Sequence, residues 1–167
     1  LIKNSDQADD DNNGKGNVCQ GNTINIMGVD GPLAGADIAV YDLQDYLDAD
    51  LDIEKPDNLL AAPATTDPVT ALADNLALVS DAGAGPFLIV VTANLTTTDL
   101  TTGEAPVVNE VKTIKTLLDL DESLRTYASP LTSLAVSIAM NGQNSADDVV
   151  NRLANAQEEA KALFGFG

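Results

Sequence analysis

Apolar and polar residues alternate in the part of the chain that follows residue 21. Ile24 and Ile26 share one face of a predicted first strand, and Ile38 and Val40 share one face of a second. The sequence Asp-Gly-Pro at residues 30–32 lies between these strands and is a strong turn signal. The pattern predicts either a β-hairpin or a corner at which the chain passes between the sheets of a β-sandwich.

The middle of the chain holds a continuous apolar run, PFLIVVT at residues 86–92. Such a run predicts a central strand that is buried on both faces. Residues 75–79 are either its hairpin partner or part of a short helix over residues 68–79. The mixed Val, Thr and Lys residues of 107–118 predict a further strand.

The hydrophobic period changes in the last third of the chain, where apolar residues recur at helical spacing. Ser129 and Pro130 are suited to the N-cap and first position of a helix, and Ser145 followed by acids predicts a capping-box-like start of a second. The first apolar stripe consists of Leu131, Leu134, Ala135 and Ile138, and the second of Val149, Leu153, Ala156, Ala160 and Leu163. We expect both stripes to pack against the sheet.

Composition and charge limit the partners of the chain. Apolar residues make up 44% and aromatic residues 4%, without Trp or His, so the core is expected to be aliphatic. The net charge is −18, from 26 acidic and 8 basic residues. A chain this acidic repels nucleic acid and anionic membrane surfaces, and no apolar run approaches the roughly 20 residues of a membrane-spanning helix. We therefore expect no nucleic-acid partner and no membrane insertion.

The residue types of the chain give little support for a catalytic site. The absence of His excludes Ser-His-Asp and Cys-His catalysis as well as His-ligated zinc, and Cys19 is the only cysteine. Paired acids occur within the acidic loop predicted for residues 42–58, which includes one helical turn around Tyr46, and again at residues 119–122. We interpret these as solvated surface acids. The sequence predicts a protein that is not an enzyme.

Two further motifs indicate a possible covalent modification from their position in the sequence alone. In some surface proteins a lysine on a core strand forms a cross-link to Asn or Asp. Lys112 and Lys115 lie in a predicted strand and are candidates for such a cross-link by position. Asn94-Leu95-Thr96 is an N-glycosylation acceptor sequence, which has meaning only in a host that glycosylates secreted proteins.

The stretch NSDQADDDNNGKGNVCQ at residues 4–20 has the spacing of a calcium loop. Alternate oxygen side chains followed by a turn Gly match the start of the D-x-[DN]-x-[DN]-G pattern, and calcium takes six to eight oxygens. The predicted ligands are Asp9, Asp11, Asn13, the backbone carbonyl of Lys15, Asn17 and Gln20. Gln20 in place of a bidentate Glu argues against an EF-hand. The alternative is a disordered acidic linker.

The same stretch closely resembles a thrombospondin type 3 repeat, with Asn4, Gln7, Asp9, Asp11, Gly14, Gly16 and Cys19 in register. The resemblance implies calcium-coordinated loops and a disulfide between Cys19 and a cysteine outside this chain. Amides replace acids of the repeat at residues 13, 17 and 20, which lowers the ligand charge and should weaken affinity.

The stretch GVDGPLAGADIAVYD at residues 28–42 resembles the opening of carboxypeptidase-regulatory-like, transthyretin-like β-sandwich modules, and GPFLIVVTAN resembles their later central strand. TYASPLTSLAVSIA resembles a helix that follows such modules in some large bacterial surface proteins. The expected fold is mainly β with C-terminal helices: an Ig-like or transthyretin-like β-sandwich, two packed helices and an N-terminal calcium loop. The expected domains are residues 1–21, 22–128 and 129–167.

These observations predict a calcium-stabilised extracellular structural module of a cell-surface, adhesin-like or filament-forming protein. The alternative is a non-catalytic accessory or carbohydrate-binding module of a larger secreted enzyme. The expected partners are other domains of the same longer chain and neighbouring subunits, which can add a strand to an open sheet edge.

Overall fold

In the part of the chain that the structure describes, strands dominate from residue 23 to residue 128, and two helices follow them. The computed structural model describes residues 23–49, 59–78, 85–116 and 125–165. The strands are β1 Thr23–Gly28, β2 Leu33–Ala34, β3 Asp37–Asp42, β4 Ala64–Thr65, β5 Leu72–Ala77, β6 Phe87–Thr92, β7 Thr98–Asp99, β8 Glu110–Lys115 and β9 Arg125–Ala128. The helices are α1 Leu43–Asp48, α2 Pro130–Met140 and α3 Ala146–Leu163. The protein is therefore mainly β with C-terminal helices, as predicted.

The interior strand β6 holds the largest sheet together. It lies between β3 and β8 in a four-stranded sheet of order β4-β3-β6-β8, and it is antiparallel to both neighbours. Phe87, Ile89 and Val91 belong to one apolar core, whereas Leu88 and Val90 belong to a second core on the other side of the sheet. The prediction of a central strand buried on both faces is confirmed.

The first core lies between this sheet and a three-stranded sheet of order β5-β1-β9. Ile24 and Ile26 of β1 meet Ile38 and Val40 of β3 there, which confirms both predicted strand faces. Because β1 and β3 belong to different sheets, the hairpin alternative is wrong. The chain instead crosses from one sheet to the other around the turn at residues 30–32.

Strand β5 differs from both sequence predictions for its region. It pairs antiparallel with β1, so it is neither the hairpin partner of β6 nor part of a helix. The register shifts between Ile24 and Ile26, and opposite the shift Asn75 has φ +53° and donates its N–H to Asn25 Oδ1 at 2.7 Å. Such a bulge interrupts the alternation of buried and exposed residues, which is why the pattern did not identify the strand.

The second core joins the other face of the four-stranded sheet to the helices. The buried residues that line it include Tyr41, Tyr46, Ile114, Val136, Ala139, Val149 and Ala156. Helix α2 packs on β8, whereas α3 packs mainly on α2 and its Leu163 is exposed, so the expectation that the second stripe packs against the sheet is wrong. In α2 the buried side chains are Ala135, Val136 and Ala139, whereas three of the four residues of the predicted stripe are only half-buried. Most positions of α2 are apolar, so the sequence does not determine which of two neighbouring stripes faces the sheet.

The helix starts were predicted with mixed success. Ser129 caps α2 by accepting the Thr132 N–H at 3.2 Å while its own N–H donates to Thr132 Oγ1 at 2.8 Å, so the predicted cap is confirmed. Ser145 makes no side-chain cap bond at the start of α3. Gln44 of α1 supplies the acceptor instead, taking the Ala146 N–H at 2.9 Å. The predicted local cap of α3 is therefore wrong, because a distant side chain occupies that role.

The start of α2 also covers the outer edge of β8. The Lys112 N–H donates to Ser133 Oγ at 2.7 Å, and Thr132 Oγ1 donates to the Lys112 carbonyl at 2.6 Å. Ser129 forms an isolated antiparallel bridge with Lys112 as well. Hydroxyl groups thus occupy the backbone positions that an added strand would need at this point.

We predict that Ser133→Ala destabilises the protein by about 1–2 kcal/mol, because the Lys112 N–H loses its acceptor in a partly buried position. Urea denaturation monitored by circular dichroism measures the change. Ser137→Ala, one turn later in α2, is the matched control, since its hydroxyl only bonds the exposed Ser133 carbonyl. Its expected effect is within about 0.5 kcal/mol. Equal effects of the two substitutions would contradict the role given to Ser133.

Candidate functional site

The predicted calcium ligands Asp9, Asp11, Asn13, Lys15, Asn17 and Gln20 lie outside the described residues. The calcium site therefore stays a prediction from the sequence. Within the described ranges, no group of three or more His, Cys, Asp or Glu side chains is placed to hold a metal ion.

Three loops gather at one end of the two sheets, where they are anchored to the segment of residues 30–36. We call these loops, at residues 66–71, 94–97 and 99–109, the loop end. Gly35 donates its N–H to the Thr66 carbonyl at 3.1 Å and accepts the Asn94 Nδ2–H on its own carbonyl at 3.0 Å. This one residue therefore links two of the loops.

The third loop is fixed to the same segment by two more hydrogen bonds. The Leu100 N–H donates to the Pro32 carbonyl at 3.0 Å, and the Val108 N–H donates to Asp30 Oδ2 at 3.1 Å. These bonds place the three loops side by side around a short and partly buried stretch of chain.

Each loop contains a turn held by an Asp or Asn side chain. Asp67 Oδ1 accepts the Val69 and Thr70 N–H groups, both at 2.8 Å. Asn94 Oδ1 accepts the Thr96 N–H at 2.8 Å in the same way. In the third loop, Asp99 Oδ1 accepts the Thr101 N–H at 2.7 Å. Side chains of this kind fix the backbone of a turn locally.

The turns display aliphatic side chains to solvent. Val69 is 77% exposed, Leu95 is fully exposed and Leu100 is 41% exposed. Val107, farther along the third loop, is 94% exposed. The loop end therefore combines a fixed backbone with apolar side chains that contribute nothing to the core.

Asp99 is the most enclosed acid of the loop end. Its carboxylate packs against Gly31, which has φ +83°, and a Cβ at Gly31 would lie 1.9 Å from Asp99 Oδ1. Only glycine fits this position. The backbone N–H of Thr101 lowers the pKa of Asp99 below its ordinary value of 3.8 and outweighs the opposing effect of burial. The backbone N–H groups of Thr70 and Val69 lower the pKa of Asp67 in the same way.

The loop end carries negative charge that no described basic side chain on its own loops compensates. The described residues between 23 and 111 include no Lys or Arg, whereas Asp30, Asp67, Asp99 and Glu104 all lie in the three loops or their anchor. The first described basic residue is Lys112, in β8. The electrostatic potential of this end is therefore negative.

Lys112 lies on the helix side of the sheet and is held by two partners. Its Nζ is 2.9 Å from Glu110 Oε1 and 3.4 Å from the Tyr46 hydroxyl, and it lies 5.8 Å from the centre of the Tyr46 ring. Burial opposes the charged form, but the bonds to Glu110 and Tyr46 outweigh it and raise the pKa of Lys112. The charged side chain of Lys112 thus links β8 to α1 through non-covalent contacts. These contacts do not favour the cross-linking role considered for Lys112.

A second surface feature is an open groove of about 510 Å³ along the helices. It is lined by Ser137, Ile138, Met140, Asn141, Arg152 and Glu159. Arg152 is already engaged, since its Nη1–H donates to the Asn141 carbonyl at 3.0 Å.

No family model, curated protein or solved structure matches this chain. Among the described helices, none has the length and apolar character needed to span a membrane.

Sequence reasoning missed the loop end, although a signal was present. An Asp or Asn, one or two residues and a Thr recur at Asp67-Pro68-Val69-Thr70, Asn94-Leu95-Thr96 and Asp99-Leu100-Thr101, each time with an aliphatic residue inside. Only the second of these was singled out, as a glycosylation acceptor. In the structure its Asn94 amide also binds the Gly35 carbonyl.

We predict that acid weakens the loop end through Asp67 and Asp99. The pKa of each carboxyl is lower in the folded than in the unfolded chain. Their stabilisation is therefore complete above the ordinary Asp value and is lost as the pH falls through the folded value. Urea denaturation at neutral pH and near pH 3 should show a smaller loss of stability for Asp67→Asn and Asp99→Asn than for the unsubstituted protein.

The control for this measurement is Asp74→Asn, an exposed acid of β5. It changes the net charge equally but lies outside the two turns, so it separates the effect of net charge from the effect of the turns. The same pH dependence in all four proteins would contradict the assignment to the two turns.

Proposed function

We propose that the chain is a calcium-stabilised structural module of an extracellular, cell-surface protein and that it serves adhesion. The calcium part rests on the spacing of Asp9, Asp11, Asn13 and Gly14 and on the resemblance to a thrombospondin type 3 repeat. In this proposal the ion stiffens the acidic segment that precedes β1. Neutralisation of the repulsion among Asp9, Asp10 and Asp11 adds to the effect.

The finer fold assignment, an Ig-like or transthyretin-like β-sandwich, is part of the same proposal. It is supported by the shared core between the sheets β5-β1-β9 and β4-β3-β6-β8. It is also supported by the crossing of the chain between sheets at residues 30–32. Sandwich modules present loops at the ends of their sheets, and such loops commonly carry the binding function.

The observation that carries the adhesion role is the loop end. Its exposed aliphatic residues are held by turns, whereas the buried polar residues serve the scaffold. Thr66, for example, accepts the Ala36 N–H at 2.9 Å and donates to the Leu33 carbonyl at 2.6 Å. A fixed scaffold that displays apolar side chains is suited to binding another protein.

Two observations favour this role over its alternatives. Carbohydrate-binding surfaces use grouped exposed aromatics. Tyr41 and Tyr46 are buried in the second core, and the exposed Tyr127 and Phe164 lie on β9 and at the end of α3, outside the loop end. Filament growth by strand addition needs a regular open edge. The edge of β8 is occupied at Lys112, β5 is interrupted at Asn75, and the other two edge strands, β4 and β9, are only 2 and 4 residues long. Adhesion through the loop end is therefore favoured over both.

Calorimetric titration of calcium into the chelator-treated chain tests the calcium part. We predict binding with a dissociation constant on the order of 10⁻⁴–10⁻³ M, as in extracellular modules with few charged ligands. Asp9→Asn combined with Asp11→Asn should abolish the heat, because two anionic ligands become neutral. Asp74→Asn with Glu159→Gln removes the same charge elsewhere and should retain it. Equal heats from all three proteins would exclude the site.

A further inference from the structure

We propose that the loop end is a docking surface for a cationic, partly apolar segment of another protein. This inference rests on the proposed adhesion role and names the chemistry of its partner. It does not depend on calcium, because the anchoring segment and the three loops are positioned by hydrogen bonds within residues 30–109.

The apolar part of the argument is the grouping of exposed aliphatic residues. A single exposed Leu or Val on a protein surface is ordinary. Here Val69, Leu95, Leu100 and Val107 extend from three loops that share one anchor at residues 30–36. Exposed apolar side chains that are grouped and surrounded by polar residues mark interaction sites.

The turns make this surface ready to bind. Each of Val69, Leu95 and Leu100 lies within two residues of the Asp or Asn whose side chain closes its turn. The backbone around these residues is therefore already ordered in the free protein. Binding loses less conformational entropy when the contacting residues are fixed in advance.

Charge complementarity selects the partner. The acids of the loop end face no described basic residue on the same loops, so an incoming Lys or Arg gains attraction that no described cation of these loops already satisfies. Nucleic acids and anionic membranes are repelled by the same field. Apolar contacts require apolar side chains on the partner as well. A protein segment that carries both Lys or Arg and aliphatic residues meets both requirements.

Fluorescence anisotropy with a short labelled peptide in which Lys and Leu alternate tests the proposal. The matched peptide has Ser in place of Leu and keeps the charge. The full chain should bind the Lys-Leu peptide about tenfold more tightly than the Lys-Ser peptide, because only the former buries apolar surface at the loop end. Equal affinity for the two peptides would indicate unspecific attraction to an acidic protein and would overturn the proposal.

Substitutions in the loop end and elsewhere on the surface test where the peptide binds. Val69→Ser with Leu95→Ser should remove the preference for the Lys-Leu peptide. Leu163→Ser, at a residue that is 67% exposed at the end of α3, should leave it intact. Glu104→Gln should weaken binding at low salt, whereas Glu159→Gln in the groove between the helices should not. Weakening by Glu159→Gln alone would place the peptide in that groove and overturn the assignment.

All of these residues are exposed, so thermal unfolding should be unchanged and a folding defect would be recognised. The titrations are run with calcium and with a chelator. Peptide binding without calcium binding refutes only the calcium part of the proposed function, and calcium binding without the peptide preference refutes only the docking surface.

Discussion

Burial of β6 on both faces is the constraint on which the rest of the structure depends. Five consecutive apolar side chains alternate between two cores, and each core needs its own cover. The sheet β5-β1-β9 covers one face, and the helices cover the other. A layered order of sheet, sheet and helices follows from that single strand, because neither face of it tolerates water.

The helices do more than cover the second core. Hydroxyl groups at the start of α2 bind the backbone of β8, and Gln44 of α1 binds the start of α3 while its Nε2 donates to the Asn144 carbonyl at 3.0 Å. Lys112 adds a charged contact to Tyr46. Helix side chains therefore satisfy backbone groups of the sheet and of a neighbouring helix, which ties the helices to the sheet and to each other.

Much of this fold is predictable from the sequence. The rest cannot be predicted, and the reasons are physical. The period of apolar residues identified β1, β3 and both C-terminal helices, because local periodicity reflects which face is buried. A continuous apolar run identified β6, and strand-favouring Val and Thr residues identified β8. Periodicity did not identify β5, where the bulge at Asn75 breaks it, or the partner of β1, which depends on contacts far along the chain. The cap of α3 was missed for the same reason, since Gln44 lies about 100 residues earlier.

The candidate sites show the same limit. The spacing of calcium ligands is a local pattern, so seventeen residues, 4–20, are enough to propose a calcium site. The loop end is assembled from segments that only the fold brings together, with residues 30–36 as the shared anchor. Its three turns are individually visible in the sequence, but their adjacency is not.

The parallel pairing of β1 with β9 has a consequence for how the protein acquires its structure. Asn25 lies opposite Arg125, so the first described strand completes its sheet only with the last. During synthesis Ile24 and Ile26 leave the ribosome long before β9 exists. Pairing between segments so far apart in the sequence slows folding, and until β9 has been made one edge of β1 has no partner strand in its sheet.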